Sequence, residues 1–412
     1  MLHQPRTPED MTRLTVLIIH ERYRESGGED AVVAAETALL HARGHRVETL
    51  IADNRSIPER PSAWQRLALA AETTWSFRWS GMVERTVRRL QPDIVHVHNT
   101  LPLLSPAVHV AARQAGAATV QTLHNYRLVC PAATLFRDGG PCEVCLGRTI
   151  AWPALRYGCY RDSRAQSGTV AAMLAFHRAR GTWRHDVDRF IALTSFARTR
   201  LLRGGLPARR TVVKPNFLEV DPGLGGGGRS FLVAGRLVPE KGIRTLIAAW
   251  RRTPSSATCR VLGGGPLEAD VRAAADARVV ALGPGPREAV FAELGNAAAL
   301  IVPSIWYEGF PMVVVEAFAR GVPVIASRIG SLAEIVEEGR TGLQVNPGDP
   351  DDLARAVGWA VDHPGVMRRM GLTARAVFEE RYSAEANYPQ LLDVYAAALR
   401  RRGRLGPEIQ RR

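Results

Sequence analysis

Short β-branched runs alternate along this chain with longer Ala/Leu/Arg-rich stretches, and the alternation stops once and restarts. "LTVLII" (14–19), "VETLIA" (47–52), "DIVHVH" (93–98), "ATVQTL" (118–123), "RFIALT" (189–194) and "TVVKPN" (211–216) come first. "DPGLGGGGRS" (221–230) then places five glycines in ten residues. After it come "SFLVAG", "CRVLGG", "RVVALG", "ALIVPS", "VPVIAS" and "TGLQVN". Such short apolar runs read as buried parallel strands. Segments such as "IRTLIAAWRR" (243–252) and "PDDLARAVGWAVD" (350–362) read as helices. Alternating βαβα on both sides of a glycine-rich link predicts two doubly wound α/β domains. The expected division is a disordered leader (1–12), an N-terminal domain (13–220), a flexible linker (221–229) and a C-terminal domain (230–384). The last stretch, 385–412, predicts a helix packing back on the N-terminal domain, then a basic tail. In such sheets ligands bind beyond the carboxyl ends of the strands. Two facing domains would place the site in the cleft between them.

The opening "MLHQPRTPEDMT" lacks the apolar core of a secretion signal, and no run approaches the ~18 apolar residues of a membrane span. A cytoplasmic protein is therefore expected, with Met11 an alternative start. The net charge is +14, and residues 1–215 hold 30 Lys+Arg against 18 Asp+Glu, while the remainder hold 24 against 22. A basic half attracts nucleic acid, phospholipid head groups or phosphorylated substrates. Plain compositional bias is the other reading, since 52 of the 54 basic residues are Arg. No nucleic-acid-binding motif accompanies the charge, and no nucleic-acid partner is expected. The bias makes the two lysines, Lys214 and Lys241, informative.

Lys241 lies in "VAGRLVPEKGIRTLIAAW" (233–250), five residues after Arg236, on a strand–turn–helix junction. An Arg fork and a Lys point charge at one strand end suit a diphosphate. Gly27 and Gly28 follow the first strand where a helix begins, a place where backbone N–H groups can approach an anion; a tight turn is the plainer reading. "VLGGGPLEADV" (261–271), with Gly264 at its centre, is a similar junction. "SIWYEGFPMVVVEAFARG" (304–321) carries Glu308 and Glu316 eight apart around Gly309-Phe310-Pro311. Pro suits a first helical turn. Glu316 falls among Val313, Val314, Val315, Ala317 and Phe318, where a buried carboxylate costs several kcal/mol unless partnered. Either it binds polyol hydroxyls or it faces solvent on an amphipathic helix. "HDVD" (185–188) resembles a metal-binding D-x-D but reads as structural.

These residues resemble glycosyltransferase family 4, retaining enzymes of the two-domain GT-B fold. Arg236, Lys241 and the Glu308-x7-Glu316 pair carry the likeness. "GGED" (27–30), "HVHN" (96–99), "TLHNYRLVCP" (122–131), "PEKG" (239–242), "GVPVIAS" (321–327) and "GSLAEIVEEGRTGLQVNPGDPDDLA" (330–354) extend it along the chain in order. The resemblance implies that Arg236 and Lys241 hold the diphosphate of a nucleotide sugar, UDP- or GDP-type. Glu308 would contact hydroxyls of the transferred sugar, and Glu316 the ribose. The backbone at Gly309 and Phe310 would lie close to the sugar, Gly28 would approach the diphosphate, and His124 would contact the donor sugar near the reaction centre. It further implies front-face retention with no catalytic metal, the protein supplying position and charge stabilisation. A nucleotide-sugar epimerase, a phosphorylase and a nucleic-acid-binding protein stay open as alternatives.

Four of the five cysteines cluster as Cys130-x11-Cys142-x2-Cys145-x13-Cys159 in an insertion at about 127–162. In a cytoplasmic chain this spacing reads as a structural zinc site; an iron–sulfur cluster, free thiols and two disulfides are the other readings. A subset of the resembled family carries similar insertions. "WQRLALAAETTWSFRW" (64–79) in the basic half suits either an anionic membrane surface with a polyprenyl-linked or glycan acceptor, or a core-packed helix. The expected place is the cytoplasm, peripheral on the inner face of the plasma membrane, in polysaccharide or glycolipid assembly.

Overall fold

The computed structural model describes residues 11, 13–24 and 27–405. Apart from Met11 and the start of the basic tail, the predicted leader and tail lie outside the described residues. The chain divides into two compact units: Met1–Thr134, Glu143–Pro215 and Asn387–Arg412 in one, and Leu135–Cys142 with Asn216–Ala386 in the other.

The first unit holds β1 (Thr15–Arg22), β2 (Arg46–Asp53), β3 (Ile94–Val97) and β4 (Ala118–Leu123). Past a hairpin, β5 (Phe136–Arg137) and β6 (Gly140–Pro141), come β7 (Arg189–Ala192) and β8 (Thr211–Val213). The six long strands form one sheet in the order β2-β1-β3-β4-β7-β8, every neighbour parallel. β3 and β4 are buried along their whole length, as a sheet covered on both faces requires. The order reverses between β1 and β3, and the helix Gly28–Ala42 starts just past that point.

The second unit repeats the plan with β9 (Ser230–Ala234), β10 (Thr258–Leu262), β11 (Val279–Gly283), β12 (Ala297–Val302), β13 (Val324–Ser327) and β14 (Gly342–Val345). They form a parallel sheet in the order β11-β10-β9-β12-β13-β14, reversing between β9 and β12. The period-2 alternation of a strand is visible in its core. Phe231 and Val233 pack with Trp250, Ile243 and Leu246 on one face. Leu232 packs with Leu300, Val314 and Phe318 on the other. Each fully buried aliphatic side chain contributes about 1.5–3 kcal/mol. Two doubly wound α/β domains are thus what the chain forms.

The glycine-rich stretch is tied down within the second unit. Gly225 and Gly226 donate to the carbonyls of Arg320 and Gly295, both at 2.9 Å. Arg320 donates to the carbonyls of Pro222 and Gly223. A Cβ at Gly228 would lie 1.7 Å from the Asn296 carbonyl oxygen, so glycine serves close packing there. The helix Ala384–Arg401 belongs to the first unit from Asn387 onward. Tyr388 bonds His45, Tyr395 bonds His96, and Arg401 pairs with Asp188.

Candidate active site

The two carboxylates of the 304–321 stretch take separate cationic partners at the carboxyl ends of the second sheet. Glu308 follows β12 and is buried, and the Lys241 ammonium donates to both its oxygens, at 2.7 and 2.9 Å. The Ser304 hydroxyl donates to Oε1 at 2.6 Å. Burial pushes the Glu308 carboxyl up, but Lys241 and then Ser304 outweigh it, and its pKa sits below the usual carboxylate value. Lys241 also lies 5.7 Å from the centre of the Trp306 ring.

Backbone geometry brings this pair together. Gly242 adopts φ +71°, and a Cβ there would stand 1.9 Å from the Pro303 carbonyl oxygen. Ile305 N–H donates to the Glu240 carbonyl at 2.9 Å. The "PEKG" turn is therefore pressed onto the loop leading to Glu308. Arg236 sits on the same turn after β9, exposed, and no carboxylate pairs with it among the described residues. It is the cation left open to an anionic ligand.

Glu316 is buried in the helix Met312–Ala319 and accepts from Arg287 Nε at 2.8 Å. The solvent-facing reading of Glu316 does not hold. Burial raises its pKa, with Arg287 opposing. Arg287 opens the helix Arg287–Gly295 and carries no signal in the sequence. Pro311 stands one residue before the helix rather than inside its first turn. Gly309 and Phe310 are half-buried; the Gly309 carbonyl accepts from Ser331, and the Phe310 ring meets Tyr382 edge-on at 5.9 Å. Gly264 lies in the turn after β10, beside Pro284 and Glu268.

In the first unit, Gly27 and Gly28 are exposed at the start of the helix Gly28–Ala42, with open space where a side chain would stand. Gly27 N–H donates to Asp30 at 2.9 Å. Asp30 in turn meets His20 Nε2 at 2.9 Å. His124 is half-buried just past β4, and its Nε2 lies 2.9 Å from His98 Nδ1. Behind it runs a buried polar network. Glu36 accepts from Lys214 Nζ at 2.9 Å and lies 3.4 Å from His98 Nε2 and 3.6 Å from His96 Nδ1. His96 is held by Tyr395 and Thr122. Burial lowers the pKa of His96 to about 4 and of His124 to about 3, so both rings are neutral at pH 7. Glu29, the next residue of the "GGED" stretch, accepts from Asn125 at 3.0 Å, and burial raises its pKa to about 7.

Glu36 and Lys214 were not singled out as site residues, though both carried a usable signal. Glu36 is a carboxylate in the apolar run "AVVAAETALL", as Glu316 is in its own. Lys214 is the other of two lysines in an Arg-rich chain.

The zinc expectation for Cys130, Cys142, Cys145 and Cys159 does not fit this geometry. None of the cysteines is in a disulfide. Among the described residues, the one set of three or more metal-ligating groups within 4.8 Å of one another is Glu36, His96 and His98, with no cysteine in it. Cys145 instead packs with Ala151, Ala154, Ala171 and Cys159 in a small apolar cluster. The Glu36 set already holds its cation, the Lys214 ammonium, and adding a dication there would leave buried charge unbalanced. In "HDVD", Asp188 accepts from Thr119 N–H and pairs with Arg113 and Arg401, while Asp186 pairs with Arg180. That segment is a structural tie, as read.

The "WQRLALAAETTWSFRW" stretch divides its aromatics. Ser62 and Ser76 cap the helices Ala63–Thr74 and Phe77–Leu90. Trp79 packs on the core and Trp75 stacks on His177, but Trp64 and Phe77 are 80% and 81% exposed. Among the described residues, no helix is long and apolar enough to cross a membrane.

Two family profiles match this chain: Glycosyltransferase Family 4 over residues 26–221, and Glycosyl transferases group 1 over residues 228–363. The chain is similar to the glycogen synthase of Mycobacterium tuberculosis, 28% identical over 323 residues, 76% of this chain and 71% of the relative. It is 33% identical over 199 residues to the D-inositol 3-phosphate glycosyltransferase of Nocardia farcinica, covering 44% and 43%. Among solved structures, sucrose-phosphate synthase from Thermosynechococcus elongatus matches with a TM-score of 0.69 at 21% identity, over 93% of this chain and 98% of that one. Anabaena HepE, solved with UDP-glucose, matches with a TM-score of 0.64 at 18% identity, over 92% and 98%.

Proposed function

The chain belongs to glycosyltransferase family 4 and has the GT-B fold, and from that premise we propose that it is a retaining, metal-independent transferase. It moves a sugar from a nucleoside diphosphate to a hydroxyl of a glycan or lipid-linked acceptor. The observation that carries this reading is the Lys241–Glu308–Ser304 constellation at the sheet's reversal point, on the same side as the exposed Arg236. Donor diphosphate meets Arg236 and Lys241, and Glu308, still held by Ser304, accepts sugar hydroxyls as the ammonium turns to phosphate. Glu316, paired with Arg287, accepts the ribose hydroxyls. The bond from the sugar's anomeric carbon to the phosphate oxygen breaks, and its electrons stay on the diphosphate. The acceptor oxygen bonds to that carbon on the same face, and its proton passes to the leaving phosphate oxygen. The two cations stabilise the charge that develops there.

UDP-glucose and UDP complexes of the Anabaena structural neighbour favour a uridine diphosphate donor here. Exposed Trp64, Leu67 and Phe77, with Arg66 and Arg78 among them, support attachment to the anionic cytoplasmic leaflet and a lipid-linked acceptor.

Thermal-shift screening against UDP-, GDP- and ADP-sugars, followed by turnover with the donor that binds, tests the assignment. Release of nucleoside diphosphate, an α-linked product from an α-linked donor, and a loss of about a hundredfold in R236A support it. Binding of no nucleotide sugar, or an inverted product, overturns it. For the membrane part, co-sedimentation with phosphatidylglycerol vesicles at low salt, and none with phosphatidylcholine, is expected; W64A/F77A should lose it. Equal behaviour toward both vesicles refutes that part.

A further inference from the structure

The amino ends of the first sheet carry more positive charge than their neighbours balance. Asp188 stands just before β7, and Thr119 N–H donates to its Oδ2 at 2.9 Å. Its Oδ1 meets Arg113 at 3.2 Å and Arg401 at 3.0 Å. Asp186 is taken by Arg180 at 2.6 Å, with Arg113 at 4.0 Å. Three more guanidiniums reach the same segments and donate to carbonyls instead. Arg189 donates to the Asp188 carbonyl at 2.9 Å, Arg210 to that of Val187 at 2.9 Å, and Arg402 to that of Arg113 at 3.2 Å. Six arginines thus share the two carboxylates of Asp186 and Asp188, an excess of four positive charges.

The chain cannot relieve this repulsion by losing protons, because a guanidinium stays charged in a protein. Burial works against the charge on Arg189, Arg210 and Arg402. A neighbouring guanidinium adds to it, Arg401 for the first two and Arg113 for the third. Arg402 Nε is buried and has no hydrogen-bond partner among the described residues. Salt screens partly buried charges poorly. An anion seated among these groups supplies what they lack, negative charge and acceptor oxygens.

The cluster is separate from the candidate active-site residues of its own unit. It stands at the amino ends of β4, β7 and β8, whereas His124 and Gly28 follow the carboxyl ends of β4 and β1. Arg210 is buried, and the side chains of Arg113 and Arg401 are 28% and 35% exposed. Among the described residues, none of the exposed large apolar side chains falls in segments 107–114, 182–189, 208–211 or 400–404. A bilayer contact combines open charge with apolar side chains that insert. Low-lying charge without such anchors suits a small ion.

We propose that Arg113, Arg189, Arg210, Arg401 and Arg402 form a binding site for a soluble, multiply charged phosphate anion of the polyphosphate class. Guanidinium forks donate to phosphate oxygens in parallel, and several negative charges on one ion match the excess. The site does not depend on the transferase assignment.

The test is calorimetric titration of tripolyphosphate into the full chain carrying R236A, which removes a cation from the donor side. At pH 7.5 and about 150 mM salt the anion should bind, and R189Q/R402Q in that background should hold it at least about tenfold more weakly. Glutamine keeps an N–H for the Asp188 and Arg113 carbonyls, so without phosphate this variant should melt no lower than its parent. R189K/R402K keeps the charge and should bind more tightly than the glutamine variant. Absence of binding to the parent, equal affinity in the glutamine variant, or a glutamine variant that melts well below its parent overturns the proposal, since the arginines would then be internal ties. Vesicles of phosphatidic acid in phosphatidylcholine should not displace tripolyphosphate from the W64A/F77A chain; displacement would overturn the assignment to a soluble ion. A short single-stranded oligonucleotide held more tightly than tripolyphosphate would mark a nucleic-acid surface and overturn it as well. A chain that binds tripolyphosphate at these arginines but no nucleotide sugar would sink the transferase reading and leave this site standing.

Discussion

Replacing Lys241 with methionine leaves the Glu308 carboxylate without its cation. The Glu308 side chain is 5% exposed and the Lys241 side chain 25% exposed. Stripping one partner from a fully buried pair costs about 3–5 kcal/mol. Lys241 is reached by water, and Ser304 continues to donate to Oε1, so we expect about 2–3 kcal/mol in K241M. Without the ammonium, burial dominates and the Glu308 pKa rises. The loss should be largest above neutral pH and shrink in acid as Glu308 takes up a proton. E308Q alone leaves a partly solvated ammonium and should cost less. K241M/E308Q removes both charges and should be more stable than K241M by at least about 1 kcal/mol. Urea unfolding of the four proteins at pH 7.5, followed by tryptophan fluorescence, completes the cycle. A coupling under about 0.5 kcal/mol would mean that water screens the pair as it does an exposed one, and the burial argument would fail. Turnover should stay low in the double variant. Recovery of stability without recovery of activity separates the pair's structural contribution from its part in binding donor.

Other consequences can be measured directly. G242A forces φ +71° on a residue with a Cβ and drives that Cβ into the Pro303 carbonyl, so it should destabilise by more than about 1 kcal/mol and also weaken donor binding; a wild-type melting temperature would contradict the close approach. Burial holds His96, His98, His109, His124 and His177 below their unfolded pKa, so their contribution is complete above pH 6.5 and lost as pH falls through their folded values. Glu21 and Glu29, raised to about 7, act oppositely: their contribution is complete below about 4.5 and lost as pH rises to 7. More histidines are lowered than carboxyls are raised, so between pH 6.5 and 5 the unfolded chain binds more protons than the folded one and stability falls as pH falls. Melting temperature should therefore fall steeply between pH 6.5 and 5, and a flat profile would refute the buried neutral histidines. E316A should cost several kcal/mol less than its burial suggests, because Arg287 is 38% exposed and can turn to water; a collapse of folding would show that the pair supports the helix.

Much of the architecture was legible because parallel strands covered on both faces must be apolar throughout. β12 announces itself by that pattern, and the glycine-rich stretch marks the restart near the change of unit. Arg236, Lys241, Glu308 and Glu316 were legible as residues for a related reason: a charge inside apolar text, or a rare lysine, needs an explanation. Their partners were less so. Arg287 is one arginine among 52, and nothing in its neighbourhood distinguishes it. The cysteine spacing pointed to zinc, yet among the described residues no three of those sulfurs converge and Cys145 and Cys159 share a small apolar cluster, because spacing along a loop does not fix where its sulfurs turn.

Local chemistry written in the chain determined the two α/β units, the strand-end position of the cationic turn and the capped helix starts, since all of these follow from neighbours in sequence. Tertiary structure alone decided which charge meets which. Lys214 reaches Glu36 across 178 residues, and Lys241 reaches Glu308 across 67. Burial couples such groups through space, and only the folded sheets bring them within hydrogen-bond range.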